Sequence, residues 1–520
     1  MLEIAIVGGG LCGVALARSL QRQGRSFALF EARARLGGRI LSVPAAGSGM
    51  AVDLGPTWFW PATQPLIARL VADLGLTDFA QHDGDEVLLL RDPDKKPEPV
   101  AGGSLHGGAR RLEGGMGRLI EALAQDLNPA AMRLGHVLTG VRDQGKHLAL
   151  DFRCGDGPLE LLARQVVLAV PPRLLDEQVA FAPALDAAVQ DALRRTDTWM
   201  AARAKVVIGY DRPWWRYAGR TGNAFVTHEQ AVIDEIFDAC DSTASQAALG
   251  GFLALSPDLR DSFSAGLPLL MGNQMAQVFG PQLEQGEQHY QDWAAETFTC
   301  SRLDRAAPCS EHAGFANPLL RRTLWGGKLF FGGSETASHG GGTLEGALEA
   351  ARRIDRALAG ARPPADFGAE TLSVNAASLG RFRAWVAAQS EPALDSYRHR
   401  LNCSLAQQQR EQLTQRAILA AIEGVYGNAL AVLDDLPFDS DGVAVERGRS
   451  ALTPEVQAPF GDFMRCLMDD VMAFNRTSCA LSNFPDEHHL SREYMQAILQ
   501  DIAAAWREFS LSANALLLAK

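Results

Sequence analysis

The sequence predicts an α/β fold with a Rossmann-type domain, a mixed-sheet domain and a C-terminal all-helical domain. Three observations support this prediction. A strand, a glycine turn, a helix and a second strand occupy the first 31 residues, a similar strand–turn–helix unit follows at 329–358, and helical periodicity dominates beyond residue 370. With 520 residues, the chain can bury several hydrophobic cores and hold more than one domain.

The first glycine turn has the spacing of a dinucleotide site. Gly8, Gly10 and Gly13 follow the apolar run 4–7 and open a helical segment that ends near Gly24. Gly8 permits the tight turn, Gly10 leaves room for a pyrophosphate, and Gly13 allows close packing of the helix on the sheet. The helix N-terminus carries about half a positive charge, so it stabilises a bound pyrophosphate.

An acidic residue ends the second strand. Glu31 follows the apolar run 27–30, near the roughly 20-residue spacing at which a carboxylate accepts ribose hydroxyls. The same charge repels a 2′-phosphate, which argues against NADP. Gly37, Gly38 and Arg39 come next, and this group begins to favour FAD over NAD.

Composition and charge narrow the class of protein. The hydrophobic fraction of 47% and the charged fraction of 21% are typical of a soluble globular enzyme. The net charge of -12 disfavours nucleic-acid and anionic-membrane partners, and no apolar stretch approaches the roughly 20 residues of a membrane span. The eight cysteines are scattered and a strand begins at residue 2, so we expect reduced thiols, no signal peptide and a cytoplasmic location.

Further signatures follow in a fixed order along the chain. They are 53–58 (DLGPTW), 111–119 (RLEGGMGRL), the strand 166–172 (VVLAVPP) and the run 329–347 (LFFGGSETASHGGGTLEGA). Together with the N-terminal turn, this set resembles the flavin-containing amine oxidases, such as monoamine and polyamine oxidases, over about residues 1–360. The resemblance implies FAD as the cofactor and an amine as the substrate.

The resemblance also implies a bipartite FAD site formed by both ends of this span. The residues assigned to FAD are Gly8, Gly10, Cys12, Gly13, Glu31, Ala32, Arg33, Gly38, Arg39, Gly55, Pro56, Thr57, Val137, Pro171, Gly333, Ser334, Glu335, Thr343 and Leu344. In the second part, Thr343 is a good N-cap and Glu345 an acid in the first turn of a helix that runs to Leu358. That N-terminus could stabilise negative charge on a reduced flavin. Alone, the run is equally compatible with a buried unit that holds no ligand.

One lysine is the predicted catalytic residue. Lys205 lies in the strand-like run 202–208, where a lysine is most often a solvated side chain. Amine oxidases carry a lysine in such a strand, which holds a water against flavin N5. The resemblance therefore implies this role for Lys205.

The substrate pocket departs from the family pattern. Monoamine oxidases hold the amine between two tyrosines, whose positions correspond to Thr343 and to the neighbourhood of Leu303. The paired rings are therefore absent, and Trp58, Trp60 and Trp293 are the candidate aromatic walls. Related L-amino-acid oxidases place an arginine at Trp58, so a substrate carboxylate has no bidentate partner there.

The covalent attachment of flavin found in monoamine oxidases is also unmatched. Arg302 is nearest in register to the attachment cysteine, and Cys300 lies two residues earlier. We therefore expect non-covalent FAD.

The domain boundaries follow from these signatures. We predict an FAD-binding domain from 1–62, 105–197 and 295–362, a substrate-binding domain from 63–104 and 198–294, and a helical domain from 366–520. The family usually has a long helical insertion before the GGMG segment, whereas only 63–104 is available here, and 91–108 has the composition of a loop. The tail could therefore enclose the active site, or it could be an independent module for dimerisation.

The tail contains helix signals and one acidic–histidine run. Helical spacing recurs at 382–386, 418–433 and 464–474, a helix start is predicted at Thr453, and a last helix is predicted from near Ser491. The run 486–489 (DEHH) could suggest a metal, but adjacent histidines do not share a helix face. We expect a loop or cap there and no metal site.

These observations predict an FAD-dependent oxidase that transfers a hydride from the carbon next to an amine nitrogen to flavin N5. The products would be an imine and, with dioxygen, hydrogen peroxide. Two alternatives stay open: a flavin-dependent desaturase acting on a carbon–carbon or ring bond, and a non-catalytic scaffold that works through its helical tail. The expected partners are a small amine and dioxygen, and a homodimer is left open.

Overall fold

The computed structural model describes most of the chain. The described residues are 1–47, 49–84, 86–101, 105–306, 317–338, 340–359, 371–406, 411–438, 445–446, 449–478, 481, 484–518 and 520. His339 of the second glycine signature and the predicted domain boundary at Pro363 and Pro364 lie outside them.

The first sheet has eight strands and positions the dinucleotide motifs. In spatial order seven of them are Ala180–Ala182, Val137–Asp143, Leu148–Cys154, Gly157–Leu168, Leu2–Val7, Phe27–Phe30 and Met132–Arg133, and Leu329–Phe331 pairs beside Gly157–Leu168. The last four strands of that order and Leu329–Phe331 run parallel. Their carboxyl ends meet at one edge, where the glycine turns and Glu31 begin, as expected for ligand binding by an open α/β sheet. The predicted α/β fold with a Rossmann-type domain is confirmed.

Helices pack against both sheets of the protein. Those of the first 359 residues are Leu11–Arg22, Pro65–Asp73, Gly117–Gln125, Pro172–Gln178, Ala187–Arg195, Trp214–Tyr217, Pro257–Ser262, Leu267–Phe279, Arg302–Ala306 and Leu344–Ala359, with 3₁₀ turns at Pro129–Ala131, Pro281–Leu283, Trp293–Ala295, Pro318–Arg321 and Ser334–Thr336. The two helices that follow the glycine turns, Leu11–Arg22 and Leu344–Ala359, pack against each other in one hydrophobic core. This contact brings the two halves of the predicted site together.

The second sheet has seven strands and presents one face to the site. Its order is Glu287–Asp292, Ala204–Tyr210, Ala247–Leu253, Ile233–Asp238, Ala224–Val226, Glu86–Leu90 and Glu98–Ala101. Side chains alternate along Ala204–Tyr210: Val206 and Ile208 pack in the core with helix Leu267–Phe279, so Lys205 and Val207 lie on the opposite face. Two-residue alternation thus turns Lys205 toward the first domain, which is the domain built on the first sheet.

The predicted substrate-binding domain includes the whole segment 63–104, but this segment contributes to both sheets. Helix Pro65–Asp73 buries Leu66 and Ile67 in the core of the first sheet, whereas Glu86–Leu90 pairs with Glu98–Ala101 in the second sheet. The loop prediction for 91–108 is wrong at Glu98–Ala101, because tertiary pairing overrides a Pro-containing, charged sequence. The strand Asp78–Ala80 pairs with Arg110–Leu112, and Ser42–Pro44 pairs with Ala51–Asp53.

The C-terminal residues form a separate helical core, here called the bundle. Its helices are Thr371–Ala387, Ser390–Ala406, Leu413–Asp435, Thr453–Gln457, Phe460–Thr477, Pro485–His488 and Arg492–Leu518, with a short hairpin of Val445–Glu446 and Arg449–Ser450. The predicted helix start at Thr453 is confirmed, although the N-cap is Leu452 and not Thr453. In the 486–489 run, the Glu487 carboxylate accepts hydrogen bonds from the N–H groups of Leu413 and Thr414, so it caps the central helix.

The sequence predicts no apolar stretch long enough to span a membrane, but the central bundle helix is such a stretch. Leu413–Asp435 is long and apolar enough by composition, with a mean hydropathy of 1.4 over its most apolar window. Of that window, 61% is buried inside the protein. A buried core helix gives the same signal, and this helix supplies more buried residues to the bundle core than any other helix that the structure describes.

Ion pairs and apolar contacts join the bundle to the first domain. Asp435 lies at 2.8 Å from Arg69 and at 2.6 Å from Arg352, and Asp434 pairs with Arg356. Ala431 of the central bundle helix packs in the core of the first sheet. The bundle is therefore docked on the domain that carries the glycine motifs.

Candidate active site

A single large cavity links the first sheet, the second sheet and the bundle. Its volume is about 1410 Å³, which exceeds the roughly 300–1,000 Å³ of a common small-molecule site. It begins at the glycine turn of the first strand, passes Lys205 and ends at helix Ser390–Ala406 of the bundle. This size suits a dinucleotide together with a second ligand.

The first glycine turn shapes one end of the cavity. Gly8 has φ of 107°, and a Cβ there would come within 2.2 Å of the Ala169 carbonyl oxygen. A Cβ on Gly10 would meet nothing within 4 Å, so the space before the helix N-terminus is open. Gly13 lies behind the turn, where a Cβ would be 2.0 Å from the Gly8 carbonyl oxygen. The three glycines thus supply the turn, the open cradle and the close helix packing that a pyrophosphate site requires.

The Glu31 carboxylate is fixed beside this cradle. It is buried and accepts hydrogen bonds from the backbone N–H groups of Gly9 (2.7 Å) and Arg33 (2.8 Å). Both bonds orient its oxygens along the cavity wall. A carboxylate so placed can accept further hydrogen bonds from ribose hydroxyls.

A buried ion pair connects the two glycine segments. The Arg39 guanidinium lies 2.6 Å from the Glu335 carboxylate and donates a hydrogen bond to Ser334 Oγ at 2.9 Å. The Gly333 N–H lies 3.3 Å from the Cys12 sulfur. The second glycine signature is therefore held against the first by direct contacts.

The helix that follows the second turn begins as predicted. Thr343 Oγ1 accepts a hydrogen bond from the Gly346 N–H at 3.4 Å, so it is the N-cap of Leu344–Ala359. Glu345 has a different task from the one its position suggested, because its carboxylate accepts hydrogen bonds from the N–H groups of Leu66 and Ile67. It thereby caps helix Pro65–Asp73, and burial raises the pKa of Glu345 to about 7.

Lys205 is a buried lysine at the centre of the cavity wall. Its side chain is only 2% exposed, so it is not a solvated strand residue. The Nζ atom donates hydrogen bonds to the Gly55 carbonyl (2.8 Å) and to Thr57 Oγ1. Burial lowers the pKa of Lys205 to about 7, although the Asp53 carboxylate opposes this effect. The amine therefore carries a proton that can be released near neutral pH.

Aromatic rings surround Lys205. The Nζ atom lies 5.4 Å from the Phe237 ring centroid, 5.7 Å from Phe252 and 5.9 Å from Trp58. Trp58 stacks on His106 at 4.3 Å and meets Phe237 edge-on at 4.5 Å. The ring faces create an apolar chamber next to one ionisable amine.

A carboxylic acid lies on the same sheet face as Lys205. Phe252 is paired with Lys205 on one side and with Glu235 on the other, so the three side chains project to one face. All three line the cavity. Burial raises the pKa of Glu235 to about 7, with the neighbouring Asp234 adding to the effect.

Nearly all predicted site residues lie at this cavity. Those that line it are Gly8, Gly10, Cys12, Glu31, Ala32, Arg33, Gly38, Arg39, Gly55, Pro56, Thr57, Trp58, Trp60, Val137, Pro171, Lys205, Trp293, Gly333, Ser334, Glu335, Thr343 and Leu344. Their contacts with a cofactor or substrate stay predictions.

Gly13 and Leu303 do not line the cavity: Gly13 lies behind the glycine turn, and the placement of Leu303 in the pocket is wrong. Leu303 is 44% exposed and does not belong to the cavity lining. Its neighbour Asp304 is the residue that turns inward, where its carboxylate accepts hydrogen bonds from Arg173 at 2.7 Å and the Thr198 N–H at 3.0 Å. This anchoring points Leu303 toward solvent.

Cys300, the cysteine nearest Arg302 in sequence, is poorly placed for a covalent flavin bond. Cys300 is outside the cavity lining, and its thiol donates to the Ser301 carbonyl at 3.5 Å. Burial raises the pKa of Cys300 to about 12, so the reactive thiolate is disfavoured.

Four residues of the site were missed by sequence reasoning: His106, Glu235, Phe237 and Phe252. Strand alternation in 233–238 gives a signal for Glu235 and Phe237, since they are two residues apart and share a face. His106 has no comparable local signal in the sequence. Among the described residues, no group of three His, Cys, Asp or Glu side chains could hold a metal.

Comparisons with protein families agree with this geometry. Residues 101–355 match the family described as flavin containing amine oxidoreductase, and residues 6–74 match the NAD(P)-binding Rossmann-like domain. Neither match extends into the bundle.

Individual proteins give the same result at low identity. Amine oxidase B (flavin-containing) of the pig, Sus scrofa, is 21% identical over an alignment 457 positions long. The match covers 68% of this chain and 86% of that protein. A putrescine oxidase bound to putrescine and the cyclohexylamine oxidase from Brevibacterium oxydans IH-35A are both solved structures with 19% identity and a TM-score of 0.56. Each covers 69% of this chain and 99% of its own length, so they share the fold.

Proposed function

We propose that this chain, a member of the flavin-containing amine oxidase family, oxidises a small amine at the carbon next to its nitrogen. The observation that carries the proposal is the position of Lys205. This buried lysine, with its pKa lowered to about 7, lies in an aromatic chamber that is continuous with the dinucleotide cradle. Such a site combines cofactor binding, an apolar substrate chamber and one proton-carrying group.

The cavity fits FAD, the cofactor of this family. The open space before Gly10 and the helix N-terminus accept a pyrophosphate, and Glu31 is oriented for ribose hydroxyls. Arg39 and Glu335 close the cradle from the opposite side. When bound, FAD supplies an acceptor for the hydride and passes the electron pair to dioxygen, giving hydrogen peroxide. The organic product is an imine, which water hydrolyses.

The side chains of the protein position the amine and control its protons. Trp58, Phe237 and Phe252 exclude water from the chamber, which favours the neutral amine that can lose a hydride. Lys205 Nζ is held by the Gly55 carbonyl and Thr57, so it stays aimed at a fixed point in the chamber. We assign to it the role that the family resemblance implies, which is to position a water molecule at the reaction centre.

Non-covalent FAD is the first expected result. Denaturing the yellow protein with acid should release FAD, not FMN or NAD, into the supernatant, where chromatography identifies it. The reason is that Cys300, the cysteine nearest the family's attachment position, lies outside the cavity lining. Flavin that stays with the precipitate would show covalent attachment, and a colourless protein that binds NAD would contradict the cofactor assignment.

An amine panel tests the reaction itself. Under anaerobic conditions, at least one primary or secondary amine should bleach the visible flavin absorbance in a single turnover. Admission of air should then restore the colour and form hydrogen peroxide. The heat-denatured protein serves as the control. Bleaching by carbon–carbon or ring substrates alone would favour a desaturase, and a flavin that no substrate reduces would favour a scaffold. Colour restored only by an artificial acceptor would indicate a dehydrogenase.

A further inference from the structure

The cavity has a second polar end, opposite the dinucleotide cradle, where the two sheet domains meet the bundle. There the His106 ring, stacked on Trp58, lies 6.4 Å from the ring of His399 on helix Ser390–Ala406. Both histidines line the cavity. Trp58 in turn lies beside Lys205, so the two imidazoles are separated from the reaction centre by a single aromatic residue.

Each imidazole has a ring nitrogen with no partner among the residues that the structure describes. His106 is only 4% exposed, and its Nε2 is buried and unpaired. For His399 the unpaired atom is Nδ1, while Nε2 lies 3.7 Å from the Cys403 sulfur and the ring also bonds to the backbone carbonyl of Leu105. Because a carbonyl only accepts and Nδ1 has no partner, we place the proton on Nε2, which leaves Nδ1 as a free acceptor. A buried acceptor without a partner costs free energy that a bound ligand can recover.

The surroundings keep both rings uncharged. Burial, with smaller contributions from His399 and Arg111, lowers the pKa of His106 to about 3. Burial and Arg400 lower the pKa of His399 to about 4, against an opposing effect of Asp83. Charges of both signs lie nearby: Asp83 accepts a hydrogen bond from the backbone N–H of His106, and Asp395, which is paired with Arg398, lines the cavity one helical turn before His399. Because the two rings themselves are uncharged, a neutral hydrogen-bond donor is the chemistry that matches them.

We propose that His106 and His399 bind the distal end of the substrate, and that this end carries an uncharged hydrogen-bond donor such as a hydroxyl group. The inference rests on the proposed amine oxidation and names its substrate class as hydroxyl-bearing amines. The bundle then contributes a substrate-contacting residue in addition to covering the cavity. One side chain from each part of the chain specifies the same ligand group.

The test compares amines of equal length that differ only at the far end. Across a series of increasing chain length, the best amino alcohol should exceed both the matched alkylamine and the matched diamine in kcat/KM by about tenfold, the worth of one net hydrogen bond. His399→Leu should bring the ratio of amino alcohol to alkylamine close to unity. His399→Gln, which restores an acceptor, should recover part of it. His147 lies outside the cavity lining and provides a matched control, so His147→Leu should leave the ratio unchanged.

A binding measurement separates this inference from the proposed reaction. An amino alcohol whose amine-bearing carbon has no hydrogen cannot be oxidised, so its calorimetric titration reports binding alone. Its Kd should rise about tenfold in His399→Leu at an unchanged melting temperature. Equal affinity in both proteins, or a preference for the diamine over the amino alcohol, would overturn the inference. Tight binding that depends on His399 in a protein that no amine reduces would leave the distal site intact and contradict the proposed oxidation.

Discussion

Lys205→Met should slow amine oxidation by about 100-fold or more while FAD stays bound. Loss of a single preorganised donor at a reaction centre commonly has an effect of this size. Lys205 Nζ is held by two oxygen acceptors within an aromatic chamber, and methionine keeps its length without its N–H groups. Stopped-flow measurement of flavin reduction and of reoxidation by dioxygen would show which half-reaction is slowed.

The variant should remain folded, and the pH dependence of stability provides the check. Because burial lowers the pKa of Lys205 to about 7 from 10.5, the folded protein binds fewer protons than the unfolded chain between these values. The free energy of unfolding of the wild type, relative to Lys205→Met, should therefore rise with pH from about 7 to about 10.5. Below pH 7 the wild type carries the full cost of a buried ammonium, which methionine removes.

Exposed Lys146 offers a matched control for the same substitution. Lys146→Met should change neither half-reaction, since this residue lies in a surface turn away from the cavity. If Lys205→Met reduced and reoxidised its flavin at wild-type rates, Lys205 would have only a structural role in the wall of the chamber.

The parts of the site that could be predicted are local in sequence. Gly8, Gly10 and Gly13 follow one strand, and the number of residues between this turn and Glu31 is set by one helix and one strand. Thr343 could be predicted as a cap for the same reason, because a capping side chain bonds within its own first turn. A site formed by residues that are close together in the chain can be recognised from their spacing in the sequence.

The parts that could not be predicted depend on distant contacts. His399 is a bundle residue that reaches His106 only through docking of the two parts, and no spacing in the chain records that contact. Leu303 was placed by register with the family, but the buried carboxylate of its neighbour Asp304 turns it outward. Glu345 was read as an acid for its own helix, yet it caps helix Pro65–Asp73. Register and propensity fail where a buried polar group has a tertiary partner.

The bundle presents the second large expected effect. Removing the chain beyond residue 362 should leave a protein that is insoluble or catalytically inactive. The cut would expose the cavity along helix Ser390–Ala406 and would uncover the core surface against which Ala431 packs. It would also leave Arg69 and Arg352 without Asp435. Exposed apolar surface of this kind favours aggregation, and an open chamber admits water to the imine and the flavin.

A short segment cannot replace the bundle in this fold. Between the DLGPTW and GGMG signatures, the described residues form one helix of nine residues, Pro65–Asp73, the hairpin of Glu86–Leu90 with Glu98–Ala101, and the short paired strands Asp78–Ala80 and Arg110–Leu112. Of these elements, only the strand end at Ala101 lines the cavity, whereas the bundle lines it along helix Ser390–Ala406. The alternative, an independent module for dimerisation, predicts that the shorter chain loses self-association and nothing else.

Solubility, FAD content and turnover of the shortened chain decide between these two roles. Co-expression of residues 366–520 as a separate chain supplies the control, because the ion pairs of Asp434 and Asp435 and the packing of Ala431 do not require a covalent link. If the bundle closes the active site, the second chain should restore solubility and amine-dependent bleaching together. A soluble shortened protein with full FAD and unchanged turnover would assign the bundle to assembly instead, and it would also remove His399 from the substrate site.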